Sequence, residues 1–184
     1  MFVSSETYDI NGHKLVLRNV FKDEAKEVLY VFKKISDETP FLMKGSDEIY
    51  FDEKGEELFL DTINCDQEAL FLGAFYDDHY IGNVTLTSFD QYRFRHRMEL
   101  GIALLQDYTH MGIGTLLIKK AIKHALELHK EQIELEVMSK NIHAINLYKK
   151  CGFIQTGIKV NNMKYKDNTY DDAIIMVKKL KEDL

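Results

Sequence analysis

Residues 109 to 117 read Thr-His-Met-Gly-Ile-Gly-Thr-Leu-Leu, and two glycines at that spacing can turn backbone amides into a seat for an anion. Gly112 and Gly114 let the chain turn sharply and let a ligand reach the backbone without meeting a Cβ. Upstream, about Met98 to Leu105 reads as a strand. Downstream, Gly114, Leu117, Ile118, Ala121, Ile122, Ala125 and Leu128 recur at helical spacing. The first amides of a helix have no carbonyl partners of their own, and the aligned peptide dipoles add partial positive charge there. A phosphate group suits such a seat. The glycine pair alone is a weak signal, because Gly-x-Gly before a helix often serves only the packing of two elements.

A second segment strengthens it. Residues 141 to 153 read Asn-Ile-His-Ala-Ile-Asn-Leu-Tyr-Lys-Lys-Cys-Gly-Phe. Loop and segment together resemble the two motifs of the GNAT superfamily of N-acetyltransferases, Gln/Arg-x-x-Gly-x-Gly/Ala and Asn-x-x-Ala-x-x-Leu-Tyr-x-Lys-x-Gly-Phe. The second motif matches at every named position: Asn141, Ala144, Leu147, Tyr148, Lys150, Gly152 and Phe153. The first departs at Thr109, where the family usually has Gln or Arg, and at Met111, where a basic residue is frequent. Side chains at these two positions therefore offer the pyrophosphate less than in most relatives, whereas the backbone amides contribute regardless.

The resemblance implies acetyl-CoA as cosubstrate. Its pyrophosphate would lie on Thr109, His110, Met111, Gly112, Ile113, Gly114 and Thr115, and its pantetheine arm along Ile102, Ala103 and Leu104, with Asn141 and Tyr148 also at the cofactor. Amide formation from a thioester needs a neutral amine, a stabilised tetrahedral oxyanion and a proton for the departing thiolate. Tyr148 occupies the family position assigned as general acid, although its place on a stripe with Ala144, Leu147 and Cys151 also fits a packed aromatic. Glu99 shares strand parity with Gly101 and Ala103, two small residues that leave room for a ligand. It is the candidate base, acting through water; an ion pair with Arg95 or Arg97 is the plainer alternative. Asn141 is equally explained as a helix cap. Phe41, Glu56 and Glu57 are the candidate acceptor residues. The two glutamates belong to an acidic run (Asp47, Glu48, Asp52, Glu53, Glu56, Glu57) that is either a cation-binding surface or merely a solvated face. Thr39 to Leu42 and Tyr165 to Asp172 resemble, more loosely, a bacterial branch acting on small amines, amino acids or protein N-termini.

The elements that must hold these residues follow from periodicity. Lys14 to Val20 alternates as a strand, Lys22 to Ser36 reads as a helix, and the only proline, Pro40, sits in the break from Thr39 to Ser46. A second helix covers Glu53 to Asn64. Strands at Ala69 to Tyr76 and His79 to Phe89 flank a tight Asp77-Asp78 turn. After the strand ending at Leu105 come a helix at Ile113 to His129, a strand at Gln132 to Met138, a short helix at Asn141 to Lys150, and a closing hairpin of Phe153 to Tyr165 and Tyr170 to Leu180. Hairpins surrounding one strand-helix-strand crossover make an α/β fold, with a mixed, mostly antiparallel sheet of six or seven strands and four flanking helices. The family implies that the parallel pair splays at the cofactor site.

At 184 residues the chain suits one domain over 1–184, burying roughly 70% of its unfolded surface. Against 24 Lys and Arg stand 30 Asp and Glu, a net charge of -6 that argues against nucleic acid and favours a cationic acceptor. Two cysteines, Cys65 and Cys151, provide no disulfide framework, and seven histidines show no metal-binding spacing, so no metal is expected. No leader and no membrane-length apolar run is visible, which makes the cytoplasm the expected location. The expected partner is a small-molecule amine, without nucleic acid or membrane; a homodimer is compatible with the sequence, which does not set the oligomeric state. A dinucleotide-dependent oxidoreductase is the rival enzyme, but Leu117 stands where its third glycine belongs. No Gly-Lys-Ser/Thr or Gly-x-Ser-x-Gly occurs. Acylation of protein N-termini and a non-catalytic acyl-CoA sensor both remain open readings.

Overall fold

The computed structural model describes residues 3–50 and 52–180. Strands β1 (Glu6–Ile10) and β2 (His13–Asn19) precede helices α1 (Ala25–Glu38) and α2 (Glu53–Cys65). Then come β3 (Leu70–Tyr76), β4 (His79–Ser88), β5 (Arg97–Leu104), α3 (Ile113–Glu127), β6 (Gln132–Met138), α4 (Ile142–Lys150), β7 (Ile154–Lys164) and β8 (Tyr170–Lys179). The eight strands form one sheet in the order β1-β2-β3-β4-β5-β6-β8-β7, and every neighbouring pair except β5 with β6 is antiparallel.

The mixed α/β architecture with four helices agrees with the sequence reading, and the eighth strand is an addition. β1 escaped notice because Glu-Thr-Tyr-Asp-Ile is short and half polar. Its signal lay in the turn that follows: Asn11 and Gly12 both take positive φ, 58° and 84°, the conformation that joins two strands in a tight hairpin. Asp77 and Asp78 do the same between β3 and β4, at 48° and 66°. The first helix also starts later than its periodicity indicates. Lys22–Glu24 forms a 3-10 turn, closed by the Glu24 carboxylate on the Phe21 amide at 2.9 Å, before α1 begins.

The core lies where helices cover both faces of β3. Residues Leu70 to Phe75 are buried without alternation, which a strand shows only when it is sandwiched. α1 packs against α2, β4 and β5, α2 also touches β3, and α3 packs against β3, β4 and β5. Leu15, Val84, Leu86, Met98, Ile113, Leu117, Ala121, Ile133 and Met176 are sealed among them. One edge of the sheet is different: β7 is exposed along most of its length.

β4 approaches β5 unusually closely at one point. Gly82 sits at φ 142°, and a Cβ there would lie 2.2 Å from the Ala103 carbonyl oxygen and 2.8 Å from the Leu104 Cα. Both obstacles are backbone, so neither can swing away. Gly82→Ala should therefore destabilise the fold by about 3 kcal/mol, read as a lowered urea midpoint at unchanged m-value. A midpoint equal to wild type would mean that the two strands can separate at no cost.

Candidate active site

β5 and β6 begin as a parallel pair and stop after three residues. Arg97, Met98 and Glu99 pair with Gln132, Ile133 and Glu134; from Leu100 onward β5 is paired only with β4, whose register continues to Leu104. β6 meanwhile keeps β8 as partner through Met138. The strands thus part, and one side of Ile102, Ala103 and Leu104 is left without a sheet neighbour. Backbone groups there are available to an extended ligand.

The loop from Leu105 to Gly112 leads from that gap to α3. Gly112 caps the helix at φ 83° with no side chain on its amides, and a Cβ built on it would find nothing within 4 Å. The first intrahelical bond runs from the Leu116 amide to the Gly112 carbonyl at 3.2 Å, so the amides of Ile113, Gly114 and Thr115 have no partner within the helix and carry the positive end of its dipole. Gly114 serves another purpose. A Cβ at that position would meet Leu147 Cδ2 at 3.0 Å and the ends of Ile102 and Leu104 at 3.8 Å, so its hydrogen admits α4 against the start of α3. These features fit acetyl-CoA: an anion seat of open backbone amides adjoining a strand with unpaired backbone.

Other loop side chains are engaged elsewhere. Thr109 spends its hydroxyl on the Gln106 carbonyl at 2.8 Å, Met111 is half-buried against the core, and Ile113 is fully buried, so what these residues can offer an anion is backbone. Thr115 is half-buried. His110 is exposed at φ 60°, with its ring 4.9 Å from that of His143, an arrangement the sequence reading did not anticipate. Asn141 caps α4 by accepting the Ala144 amide at 3.2 Å. The turn before it is fixed by buried Asp171, which accepts Ser139 Oγ at 2.6 Å and the Tyr165 hydroxyl at 2.8 Å. Burial works against the charge on Asp171, but these two hydrogen bonds, together with the Lys140 amide and the Lys140 charge, outweigh it and lower the pKa.

Tyr148 is buried on α4 and packs edge-on against Phe153. Burial pushes its phenol well above the ordinary tyrosine range, with nearby Cys151 adding to the shift. Its hydroxyl has no hydrogen-bond partner among the described residues. Nor is it one of the sealed, partnerless polar atoms there, which are Arg97 Nε and His124 Nε2. Among the described residues its donor is thus uncommitted. Glu99 is exposed on β5. The expected neighbour Arg97 is taken: its guanidinium bonds Glu134 at 2.9 Å and lies 4.7 Å and 4.6 Å from the Phe89 and Phe94 ring centres. Because Glu134 sits directly across from Glu99, that ion pair leaves Glu99 as the uncompensated carboxylate of the two.

The acidic run between the first two helices is not the open field its sequence implies. Asp47 pairs with Lys166 at 3.1 Å, Glu48 accepts the Gly45 amide at 2.9 Å, and Asp52 caps α2 through the Gly55 amide at 3.0 Å. Glu57 and Phe41 are half-buried and Glu53 is exposed. Glu56 departs most from a surface role, being 5% exposed. Nothing pairs with its carboxyl among the described residues, and burial pushes its pKa up to about 7. Its charge also raises the pKa of buried Tyr80, behind the larger effect of burial.

A carboxyl that ionises near 4.5 unfolded and near 7 folded has a defined effect on stability. Below the lower value both states hold the proton. Between the two, unfolding releases a proton that the fold retains, and stability falls as pH rises until the folded group has ionised. The shift corresponds to about 3 kcal/mol. Glu56→Gln should thus be more stable than wild type at pH 8 by up to that amount and near parity at pH 4.5, measured by urea unfolding. A pH-independent difference would rule out the buried carboxyl as its source.

Comparison with known proteins agrees with the geometry. The model of the acetyltransferase (GNAT) family matches residues 33–153, more than half of the chain. A GNAT-family acetyltransferase from Streptococcus pneumoniae superposes with a TM-score of 0.85 at 27% identity, covering 90% of this chain and 99% of its own. A putative acetyltransferase from Salmonella typhimurium, solved with its cofactor acetyl-CoA, shares the fold at a TM-score of 0.80 and 16% identity over 92% and 96% of the two chains. Streptothricin acetyltransferase of Escherichia coli is 28% identical over 142 residues, 69% of this chain and 78% of that protein. An N-alpha-acetyltransferase of Sulfurisphaera tokodaii is 41% identical over 78 residues, but those span only 42% of this chain and 44% of the relative. Among the described residues no helix is long and apolar enough to cross a membrane. With motifs, parted strands and family match in accord, the chain belongs to the GNAT family and is an acetyl-CoA-dependent N-acetyltransferase.

Proposed function

We propose that the acceptor is a primary amine on a small, cationic molecule, with Tyr148 as the general acid and Glu99 as the base acting through water. The carrying observation is that the β5–β6 ladder ends at Glu99, whose carboxylate is exposed, and that neither this carboxylate nor the Tyr148 hydroxyl has a hydrogen-bond partner among the described residues. The cofactor supplies a thioester carbonyl. Attack forms the N–C bond and breaks the C–S bond. The first proton of the ammonium passes through water to Glu99 before attack, the thiolate takes its proton from Tyr148, and the second proton, shed by the nitrogen as it becomes the amide, restores the phenol. A phenol with a raised pKa stays protonated until the sulfur needs it. A cationic substrate is supported by the net charge of -6, by the unpaired Glu99 carboxylate, and by a 32% identical relative over 125 residues, a spermidine N(1)-acetyltransferase of Vibrio cholerae that aligns over 64% of this chain and 69% of its own. Glu56 and Glu57 belong to the acceptor side in this reading, with buried Glu56 taking an ammonium group rather than steering it from a distance.

A second acceptor class, protein N-termini, is favoured by the identity to the archaeal N-alpha-acetyltransferase. Following thiol release with polyamines and with short peptides of free N-terminus separates the two. Turnover with peptides alone would displace the small-amine reading.

Tyr148→Phe should lower kcat by about 100-fold while changing acetyl-CoA affinity less than about twofold. Glu99→Gln should depress the rate most at neutral pH and leave a steeper rise toward alkaline pH, where the amine loses its proton unaided. If both variants turn over as wild type does, neither residue handles a proton. For the cradle, Gly112→Glu forces a side chain into a positive-φ site and sets a carboxylate where the phosphate would lie. Its acetyl-CoA affinity by calorimetry should drop by ~100-fold or more in a folded protein; undiminished affinity would put the cofactor elsewhere.

A further inference from the structure

The phosphates of coenzyme A are strongly anionic, yet neither helix start bordering the cradle carries a lysine or arginine. From Leu105 to Ile118 and from Asn141 to Tyr148 the only formally charged side chain is Asp107. Lys140, just ahead of α4, is already placed: its Nζ donates to the Tyr170 carbonyl at 3.0 Å and sits 5.0 Å from the Tyr165 ring centre. Lys119 comes only in the second turn of α3. What occupies the entrance is two imidazoles. His110 comes from the loop and His143 from the first turn of α4; their rings meet edge to face, with centroids 4.9 Å apart at 83°. Both residues are exposed, and neither has a hydrogen bond or ion pair among the described residues. An imidazole donates one N–H when neutral and two when protonated, so the pair can serve a phosphate in either state.

We propose that His110 and His143 form a phosphate-binding pair that seats a phosphate of acetyl-CoA beside the first amides of α3, replacing the side-chain contacts that Thr109 and Met111 do not make. The proposal rests on the 109–115 loop being the cofactor cradle. It extends the site from one loop to two elements. The backbone seat recognises any small anion, whereas a pair of side chains held by both the loop and α4 forms only when those elements are docked. Recognition of the cofactor is thereby tied to the contact between α3 and α4 that Gly114 permits.

The test compares kcat/KM for acetyl-CoA, acetyl-3′-dephospho-CoA and S-acetylpantetheine, which has no phosphate, in wild type, His143→Ala, His110→Asn and the double variant. Asn tolerates the positive φ of position 110, and both sites are exposed, so melting temperatures should match wild type. Each single change should cost about tenfold with acetyl-CoA, through KM and with kcat preserved, and nothing with S-acetylpantetheine. His143→Arg should keep or improve on wild type. Loss of the histidine effect with the dephospho compound would assign the pair to the 3′-phosphate, and its persistence would assign it to the pyrophosphate; either supports the pair. Equal loss with the phosphate-free thioester, or no loss with any, overturns it. If Gly112→Glu abolishes binding while the histidine variants bind normally, the pair alone is wrong; if Gly112→Glu binds normally, the cradle itself is misplaced.

Discussion

The early end of the β5–β6 ladder is the constraint on which the site depends. A parallel pair that continued past Glu99 and Glu134 would satisfy its backbone groups internally and leave a ligand no place in the sheet. The pair parts because each strand is claimed from its other side. β5 runs on with β4, drawn close at Gly82, and its Ile102 and Leu104 turn toward Gly114 on α3. β6 runs on with β8, and its end is tied down where Asp171 holds Ser139. Leu147 of α4 packs against the start of α3, so the helices that frame the gap support each other. The vacancy is thus a product of well-satisfied surroundings.

Folding also consumes most of the charge that the sequence displays. Glu24 is bound by Arg18, Asp52 caps α2, Glu48 closes a short turn, Asp47 ties the α1–α2 segment to the β7–β8 hairpin through Lys166, and Lys130 is buried on Glu68 and the Arg95 carbonyl. Arg97 goes to Glu134, between two phenylalanines. Against that background the groups left uncommitted are informative. Among the described residues the Glu99 carboxylate at the last β5–β6 pair, the Tyr148 hydroxyl on α4, and the rings of His110 and His143 have no hydrogen-bond or ion-pair partner, and neither does buried Glu56 on α2.

How much of this was legible in the sequence follows from the range of each interaction. The glycine loop, the start of α3 and the Asn141 cap are decided within a few residues, and they were readable. The crossover and the hairpins were readable from periodicity, and with them the fold class. β1 was missed because its apolar content is low, though Asn11-Gly12 marked the hairpin. Non-local facts were hidden. Glu56 stands at helical spacing from Leu60 and Ile63, the buried stripe of α2, but its charge and its place in an acidic run masked that signal, so the run looked like an exposed field. Arg97 could have served Glu99 or Glu134, and only the register between β5 and β6 decides. The nearness of His110 and His143 depends on how two helices dock, which no local spacing encodes.

The three-residue contact between β5 and β6 also gives the sheet a mechanical character. Five strands lie on one side of it and three on the other, and each group is internally laddered along most of its length. Backbone bonding across the seam is confined to one end, so the two groups behave as leaves joined at a short hinge, with α3 and the 105–112 loop bridging its open end. A ligand laid between the leaves would complete the missing bonding and stiffen the joint. Ligand-induced stabilisation of such a protein, about 2.7 kcal/mol at a hundredfold excess over Kd, would then be felt along the seam first, as slowed amide exchange at Ile102 to Leu104. The opening is in this sense also the sheet's weakest joint, and a cosubstrate laid into it would be its temporary clasp.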